Sequence, residues 1–182
     1  LCGVPVRIAT HHGRIHNFPY VLQKIHSWMI NTGIATAIVA VTEPTRQAAI
    51  EEGIHSDLVE MILNGVEVPE VSQETIDQIR REISLAKNGR CLISVGRLAP
   101  EKGHAVLIKA FSILGEKLPF VHLVVAGNGV LMADLKSLAQ SGGMDNRIHF
   151  LGVRNDIPNL LAASDVFILP SHSEGLPMAL LE

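Results

Sequence analysis

The strongest constraint in this sequence is a series of short β-rich runs that are predominantly apolar rather than alternating and are separated by amphipathic segments. The runs cover residues 6–10, 37–42, 61–63, 91–95, 121–126, 148–151 and 166–169. A strand buried on one face alternates apolar and polar residues, whereas an unbroken apolar run marks a parallel strand covered on both faces. The segments between them have helical period. Val21, Ile25, Trp28 and Met29 share one face, with Trp28 expected in the core; Ile76, Ile79 and Ile83 share another. Leu107, Ala110, Phe111 and Leu114 fall at i, i+3, i+4 and i+7, and Leu131, Leu135, Leu138 and Ala139 form a similar stripe. Strand, helix and strand in repetition predict an α/β fold with doubly wound parallel sheets.

Local signals set the boundaries. Thr42 or Thr45 is placed to cap a helix through Glu52 that Gly53 stops, and Asp156 to cap a short helix through Leu161. The turn signal Asn64-Gly65 is followed by Val66-Glu67-Val68-Pro69-Glu70 and a polar helix, so residues 1–69 read as part of one α/β domain and 70–182 as part of a second. The chain opens on Leu1 and closes on Glu182, only about six residues into a helix beginning near Pro177, against a usual length of about 11. It is therefore expected to be an internal piece of a longer protein.

Composition removes several classes. Apolar residues make up 47% and charged residues 18% of the 182, with a net charge of −3. That is too apolar for a disordered tail and too acidic for a nucleic-acid binder. No stretch approaches the about 20 apolar residues of a spanning helix, and no signal peptide opens the chain. Cys2 and Cys91 form no CxxC motif or disulfide framework, which fits a reducing cytoplasm.

Ligands of doubly wound sheets sit beyond the carboxyl ends of the strands, so the residues after each strand are the candidates. After residue 95 come Gly96-Arg97-Leu98-Ala99-Pro100-Glu101-Lys102-Gly103 and then a helix. Two cations before a helix N-terminus suit a diphosphate, and a solvated loop with a Glu101–Lys102 surface pair is the plainer alternative. Gly127-Asn128-Gly129 half-matches a dinucleotide fingerprint, with Met132 where the third glycine belongs; a tight strand-to-helix turn accounts for it as well. Gly152-Val153-Arg154 offers backbone groups to a base edge or is a plain turn. Glu174 and Glu182 bracket a helix that Pro177 would open, and carboxylates there suit hydroxyl-rich ligands or simply compensate a helix end. His11, His12 and His16 lie close together, but no Asp, Glu or Cys joins them at metal-ligand spacing. His26, His55, His104, His122 and His149 read as surface or core fillers.

In order and spacing, Gly96-Arg97-Leu98-x-x-Glu101-Lys102-Gly103, Gly127-x-Gly129, Phe150-Leu151-Gly152 and Glu174-Gly175-x-Pro177-x-x-x-x-Glu182 resemble the retaining glycosyltransferases of GT-B fold, family 4. Asn64-Gly65-Val66-Glu67 resembles that family's Asn-Gly-Val-Asp at the domain crossover, with Glu67 for the usual Asp. Residues 5–13, ending Thr10-His11-His12-Gly13, resemble the cleft loop of its first domain. Val130 stands where the family prefers Pro.

The resemblance implies two Rossmann-like domains, both incomplete here, with the acceptor side in residues 1–69 and the nucleotide-sugar donor side in 70–182. A sugar would pass from a nucleotide-diphosphate sugar to a sugar or lipid-linked acceptor, with retention of configuration, in polysaccharide, cell-envelope or glycolipid synthesis. Arg97 and Lys102 would hold the donor diphosphate and stabilise its charge as it leaves, so no metal or other cofactor is expected. Glu174 would contact donor sugar hydroxyls and Glu182 the ribose. Amides of Gly175, Leu176 and Pro177 would border the phosphates, Gly96, Gly127 and Gly129 would approach the donor, and Gly152, Val153 and Arg154 would border the base. His12 matches the family's cleft histidine, with His11 as the adjacent alternative. The implied setting is cytoplasmic, at or near the inner membrane face, without nucleic-acid partners. A UDP-sugar 2-epimerase of the same fold and a non-catalytic nucleotide-binding module are the competing readings. The piece by itself is expected to be poorly active or inactive.

Overall fold

The computed structural model describes residues 3–11 and 19–182. Their contacts divide into two compact units, residues 1–65 with 174–178, and residues 66–173 with 179–182. Every strand pair in both units is parallel.

The first unit holds three strands, β1 (Ile8–His11), β2 (Ala37–Ala40) and β3 (Val59–Met61), in the order β1-β2-β3. Helix α1 (Tyr20–Met29) runs into a π turn over Ile30–Ile34, and α2 (Glu43–Glu51) joins β2 to β3. Thr42 is the cap of α2: its hydroxyl accepts from the Thr45 N–H at 3.2 Å. Gly53, at φ +101°, ends the segment as expected. One cluster forms the core, with Ile30, Ile38, Ala40, Ala49, Ile54 and Val59 at its centre.

Three expectations fail here. The apolar stripe of α1 faces outward: Trp28 is 65% exposed, and Val21, Ile25 and Met29 are also exposed. The helix instead turns Ser27 inward, where a side chain at Gly53 would meet the Ser27 hydroxyl at 3.3 Å. Asn31 fixes that approach, donating its amide to Gly53 O and accepting from the His55 N–H. Nor is β1 covered on both faces, because Ile8 is 63% exposed. The third strand also lies two residues earlier than the run at 61–63, leaving Ile62 and Leu63 exposed.

The second unit begins with α3 (Gln73–Glu82), capped by Ser72. There follow β4 (Arg90–Val95), α4 (His104–Lys117), β5 (Val121–Ala126), α5 (Met132–Ser141), β6 (Ile148–Gly152), α6 (Ile157–Ala162), β7 (Val166–Phe167) and the short α7 (Met178–Leu181). The last helix is grouped across the two contact units residue by residue, with Met178 in the first and Ala179 onward in the second. The strand order is β6-β5-β4-β7.

Here the sheet is covered on both faces, which explains the unbroken apolar runs. Cys91, Ile93, Val124 and Ala126 face α3 and α6 and pack with Ile79, Ile83 and Leu160. Val121, Leu123 and Val125 face α4 and α5 and pack with Leu107, Ile108, Phe111 and Leu135. Each buried Val, Leu, Ile or Phe side chain among them contributes about 1.5–3 kcal/mol. Cys91 is a free, buried cysteine whose Sγ lies 3.4 Å from the Ser164 hydroxyl; burial first of all pushes its thiol pKa up.

The α4 face differs from the stripe read in the sequence. Ala110 and Leu114 are exposed, and the buried set is His104, Leu107, Ile108, Phe111 and Gly115, a rotation that brings a histidine into the core. Asp156 stands at the start of α6, but its carboxylate makes no cap and goes to Arg154 instead. Residues 168 and 169 fall outside β7, although the Ile168 N–H still bonds Ile93 O at 2.7 Å.

Candidate functional site

The second sheet reverses its winding at β4. From β4 the chain steps to β5 and β6 on one side, and β7 then returns to the other. The crevice at such a reversal is where open α/β sheets take ligands. The loops that follow β4 and β7 border it.

Main-chain hydrogen bonds brace the strand-end loops into one surface. Gly96 donates to Ala126 O (3.0 Å), Leu98 to Asn128 O (2.9 Å), Leu131 to Leu98 O (3.1 Å) and Gly127 to Gly152 O (2.7 Å). Glycine makes this closeness possible. A Cβ on Gly127, whose φ is +142°, would stand 1.9 Å from Gly96 O, and one on Gly129 would stand 2.4 Å from Leu98 O. The Gly127-x-Gly129 pair thus meets a packing need of the protein itself. The β4 and β7 loops interlock in the same way. A Cβ on Gly103 (φ +66°) would meet Pro170 O at 2.1 Å, and the His172 N–H bonds Glu101 O at 2.9 Å.

Two cations ride on this braced loop. Arg97 is exposed, and its Nη2 lies 2.7 Å from Glu101 Oε1. An exposed pair of this kind is worth at most about 1 kcal/mol, so an incoming anion can displace Glu101 at little cost. Lys102 closes the 3-10 turn Pro100–Lys102 immediately before Gly103 and α4. Both cations therefore precede the N-terminus of a 14-residue helix, whose dipole favours negative charge.

The other expected residues are placed as follows. Gly152 ends β6 at φ +67°, and Val153 is exposed. Arg154 is held by two carboxylates: Nε and Nη2 donate to Asp156 at 2.7 Å each, and Nη1 to Glu82 at 2.6 Å. Those hydrogen bonds raise the Arg154 pKa and pull that of Asp156 down. The guanidinium thereby ties the β6 loop to α3 and is already engaged by protein. Glu174, Gly175, Leu176 and Pro177 group with residues 1–65. Glu182 lines a cavity of about 240 Å³ with Ile93, Leu161, Phe167 and Ala179. His12 and His16 lie outside the described residues. His11 ends β1, buried, with Nε2 3.9 Å from Glu52 Oε2. Among the described residues, no three His, Cys, Asp or Glu side chains gather as a metal site would require.

Two features add detail to the histidines read in the sequence as surface or core fillers. His104, 2% exposed, opens α4 beneath the cation loop, and burial and then Lys102 lower its pKa, keeping it neutral. The spacing 104, 107, 108, 111 was the available signal. His122 and His149 stack near the start of β5 and β6, with Nδ1 and Nε2 2.9 Å apart. Burial lowers both pKa values, helped by Arg147 for His122 and by His122 for His149.

Residues 75–182 match the family model for glycosyl transferases group 1. The chain is 32% identical over 198 residues to the UDP-Gal:alpha-D-GlcNAc-diphosphoundecaprenol alpha-1,3-galactosyltransferase of Escherichia coli, across all of this chain and 50% of that protein. HepE from Anabaena, crystallised with UDP and glucose, superposes with a TM-score of 0.83 at 25% identity, covering 94% of this chain and 48% of its own. WaaG, a glycosyltransferase involved in lipopolysaccharide biosynthesis, superposes with a TM-score of 0.76 at 17% identity, over 98% of this chain and 56% of its own. That last likeness is one of fold alone. The chain spans about half the length of the curated relatives it matches.

Proposed function

The chain belongs to the glycosyl transferases group 1 family, with the α/β architecture of GT-B glycosyltransferases, and we propose that its protein transfers a hexose from a nucleoside-diphosphate sugar to a sugar or lipid-linked acceptor with retention of configuration. In this reading residues 70–182 carry the donor side and residues 1–69 the acceptor side. The observation that carries it is the braced loop 96–103. It sets Arg97 and Lys102 at the winding reversal of a parallel sheet, before the N-terminus of α4.

The chemistry follows from charge. The bond between the sugar and the diphosphate oxygen breaks, and its electron pair goes to the phosphate. Arg97 and Lys102 offset that growing charge, a contribution larger in the transition state than in the ground state. The acceptor hydroxyl oxygen bonds to the sugar carbon, and its proton passes to the departing phosphate oxygen. Glu174 and Glu182 would hold sugar and ribose hydroxyls, the amides of Gly175–Pro177 would border the phosphates, and His12 would stand near the transferred sugar. No metal is needed in this scheme, because two cations already face the leaving group. The HepE complex with UDP and the UDP-Gal specificity in the name of the Escherichia coli relative support UDP as the nucleotide. That relative's name, with its diphosphoundecaprenol-linked sugar, also supports a lipid-linked acceptor and with it a place in polysaccharide or glycolipid synthesis.

The test is calorimetric titration of the full-length protein with UDP, GDP and ADP, without metal, beside the Arg97→Ala/Lys102→Ala double variant. The expected result is that one nucleotide binds and that the double variant binds it at least about 100-fold more weakly, the loss of two charge-assisted contacts of about 1.5–3 kcal/mol each. Equal binding by both proteins would remove the diphosphate from this loop.

A further inference from the structure

Three side chains of the second unit carry buried polar atoms with no protein partner: His104 (both ring nitrogens), Ser94 and Ser171. They are few in a large apolar core, and the fold places them at one end of it. His104 is the first member of the buried α4 stripe that continues through Leu107, Ile108 and Phe111 onto the sheet. Ser94 lies two residues beyond Leu92, which packs in that same cluster, so strand alternation turns Ser94 to the face that α4 covers. Ser171 follows Pro170, whose carbonyl lies against Gly103, the residue before His104. The three therefore lie where α4, the end of β4 and the β7 loop converge, under the loop that carries Arg97 and Lys102.

The imidazole has a direction. The heavy atom nearest to a Cβ built on Gly96 is His104 Cε1, at 4.0 Å. That carbon sits between the two ring nitrogens, so the polar edge of the ring faces the first residue of the loop. A neutral imidazole offers one donor and one acceptor, and each serine hydroxyl offers both. Buried groups of this kind cost stability unless something returns their hydrogen bonds. A water held by two to four polar partners is the usual solution in a protein interior.

We propose that His104, Ser94 and Ser171 form a buried seat for an ordered water that ties the Gly96–Gly103 loop to the β7 loop, making His104 a positioning residue for Arg97 and Lys102. The seat lies below the loop and touches no reacting atom; it acts by holding the two cations where the donor diphosphate must meet them. The inference rests on the diphosphate reading of that loop.

The test uses the full-length protein and UDP, or whichever nucleotide binds best, as the probe. His104→Leu matches the ring roughly in volume and removes the hydrogen bonds; His104→Asn keeps a polar group near Nδ1; Ser94→Ala removes a second corner. Expected are thermal midpoints within about 5 °C of the parent, since apolar replacement of buried polar groups is often near neutral. Nucleotide affinity should fall about tenfold for His104→Leu and about threefold for Ser94→Ala, and His104→Asn should recover most of the loss. In assays kcat/KM for the donor should fall about tenfold or more, with kcat falling as well, because the two cations act more strongly on the transition state than on bound donor. A folded His104→Leu that binds nucleotide as the parent does would overturn the seat. So would a His104→Asn as weak as His104→Leu, because packing alone would then explain the loss. If His104→Leu does not fold, Ser94→Ala decides, and unchanged affinity there overturns the proposal. The Arg97→Ala/Lys102→Ala variant separates the two readings. If it binds normally, the diphosphate site itself fails. If it loses binding while His104→Leu does not, only the seat fails.

Discussion

The two units are built from the same parts, parallel strands with helical crossovers, yet they bury them differently. In the second unit β4 and β5 are sandwiched, with one apolar cluster toward α4 and α5 and another toward α3 and α6. In the first unit a single cluster serves β2 and α2, while β1 and the apolar face of α1 remain exposed. An apolar run or stripe in sequence therefore states what a segment is able to bury. Whether it is buried depends on which neighbours are packed against it. For the same reason the two units should respond differently to equivalent damage.

The largest contrast is in packing. Phe111→Ala should cost about 3–5 kcal/mol, because it opens a cavity in a closed core. Trp28→Ala, the loss of a larger side chain from an exposed face, should stay within about 0.5 kcal/mol in this chain. Urea unfolding of both variants checks this, and an equal loss for Trp28→Ala would mean that α1 has a covered face after all.

Backbone closeness supplies the next contrast. Gly127→Ala forces a side chain into Gly96 O at a positive φ and should cost at least about 1–3 kcal/mol. Gly33→Ala also sits at a positive φ (+92°), but nothing lies within 4 Å of its added methyl. It should cost only the conformational part, about 1–2 kcal/mol. Gly127→Ala should also weaken nucleotide binding, since the loop it displaces carries Arg97. Comparison of Tm and UDP affinity in the two variants reads both effects.

The smallest effect comes from protons. Burial lowers the pKa values of His104, His122 and His149 in the folded protein from the ordinary imidazole value of about 6.5. The unfolded chain then binds more protons than the folded one as pH falls through that value, so stability drops with pH from about 6.5 downward. The acid side of the profile should flatten in a His122→Phe/His149→Phe variant, followed by thermal unfolding between pH 7.5 and 5.5.

Much of the second unit was legible in the sequence. Five of its features, the runs at 91–95, 121–126 and 148–151 and the stripes of α3 and α5, became strands and helices close to where they were read. They were legible because their neighbours in sequence are also their neighbours in space. The α1 stripe misled, since its burial depends on long-range partners that periodicity does not contain. His104 was hidden by a similar ambiguity: the stripes 107, 110, 111, 114 and 104, 107, 108, 111 share two members, and apolar identity favoured the wrong one. The cation loop was identified from residue types and strand-end position. That its glycines brace one loop against another could not be seen, because Gly96 and Gly127 meet only once β4 and β5 are paired. Arg154 likewise looked available until α3 supplied Glu82.

The buried Cys91 thiol gives the protein an internal clock. Its side chain lies within the α3/α6-facing core, and burial keeps it in the protonated, unreactive form. With every other cysteine of the protein replaced by serine, a thiol reagent would find its one target inside that core. Under fast closing, the rate of labelling would equal the intrinsic thiol rate multiplied by the fraction of molecules open at that moment. One absorbance trace would then report how much of the time the core of the second unit stands open, with and without nucleotide, in the native protein and without denaturant.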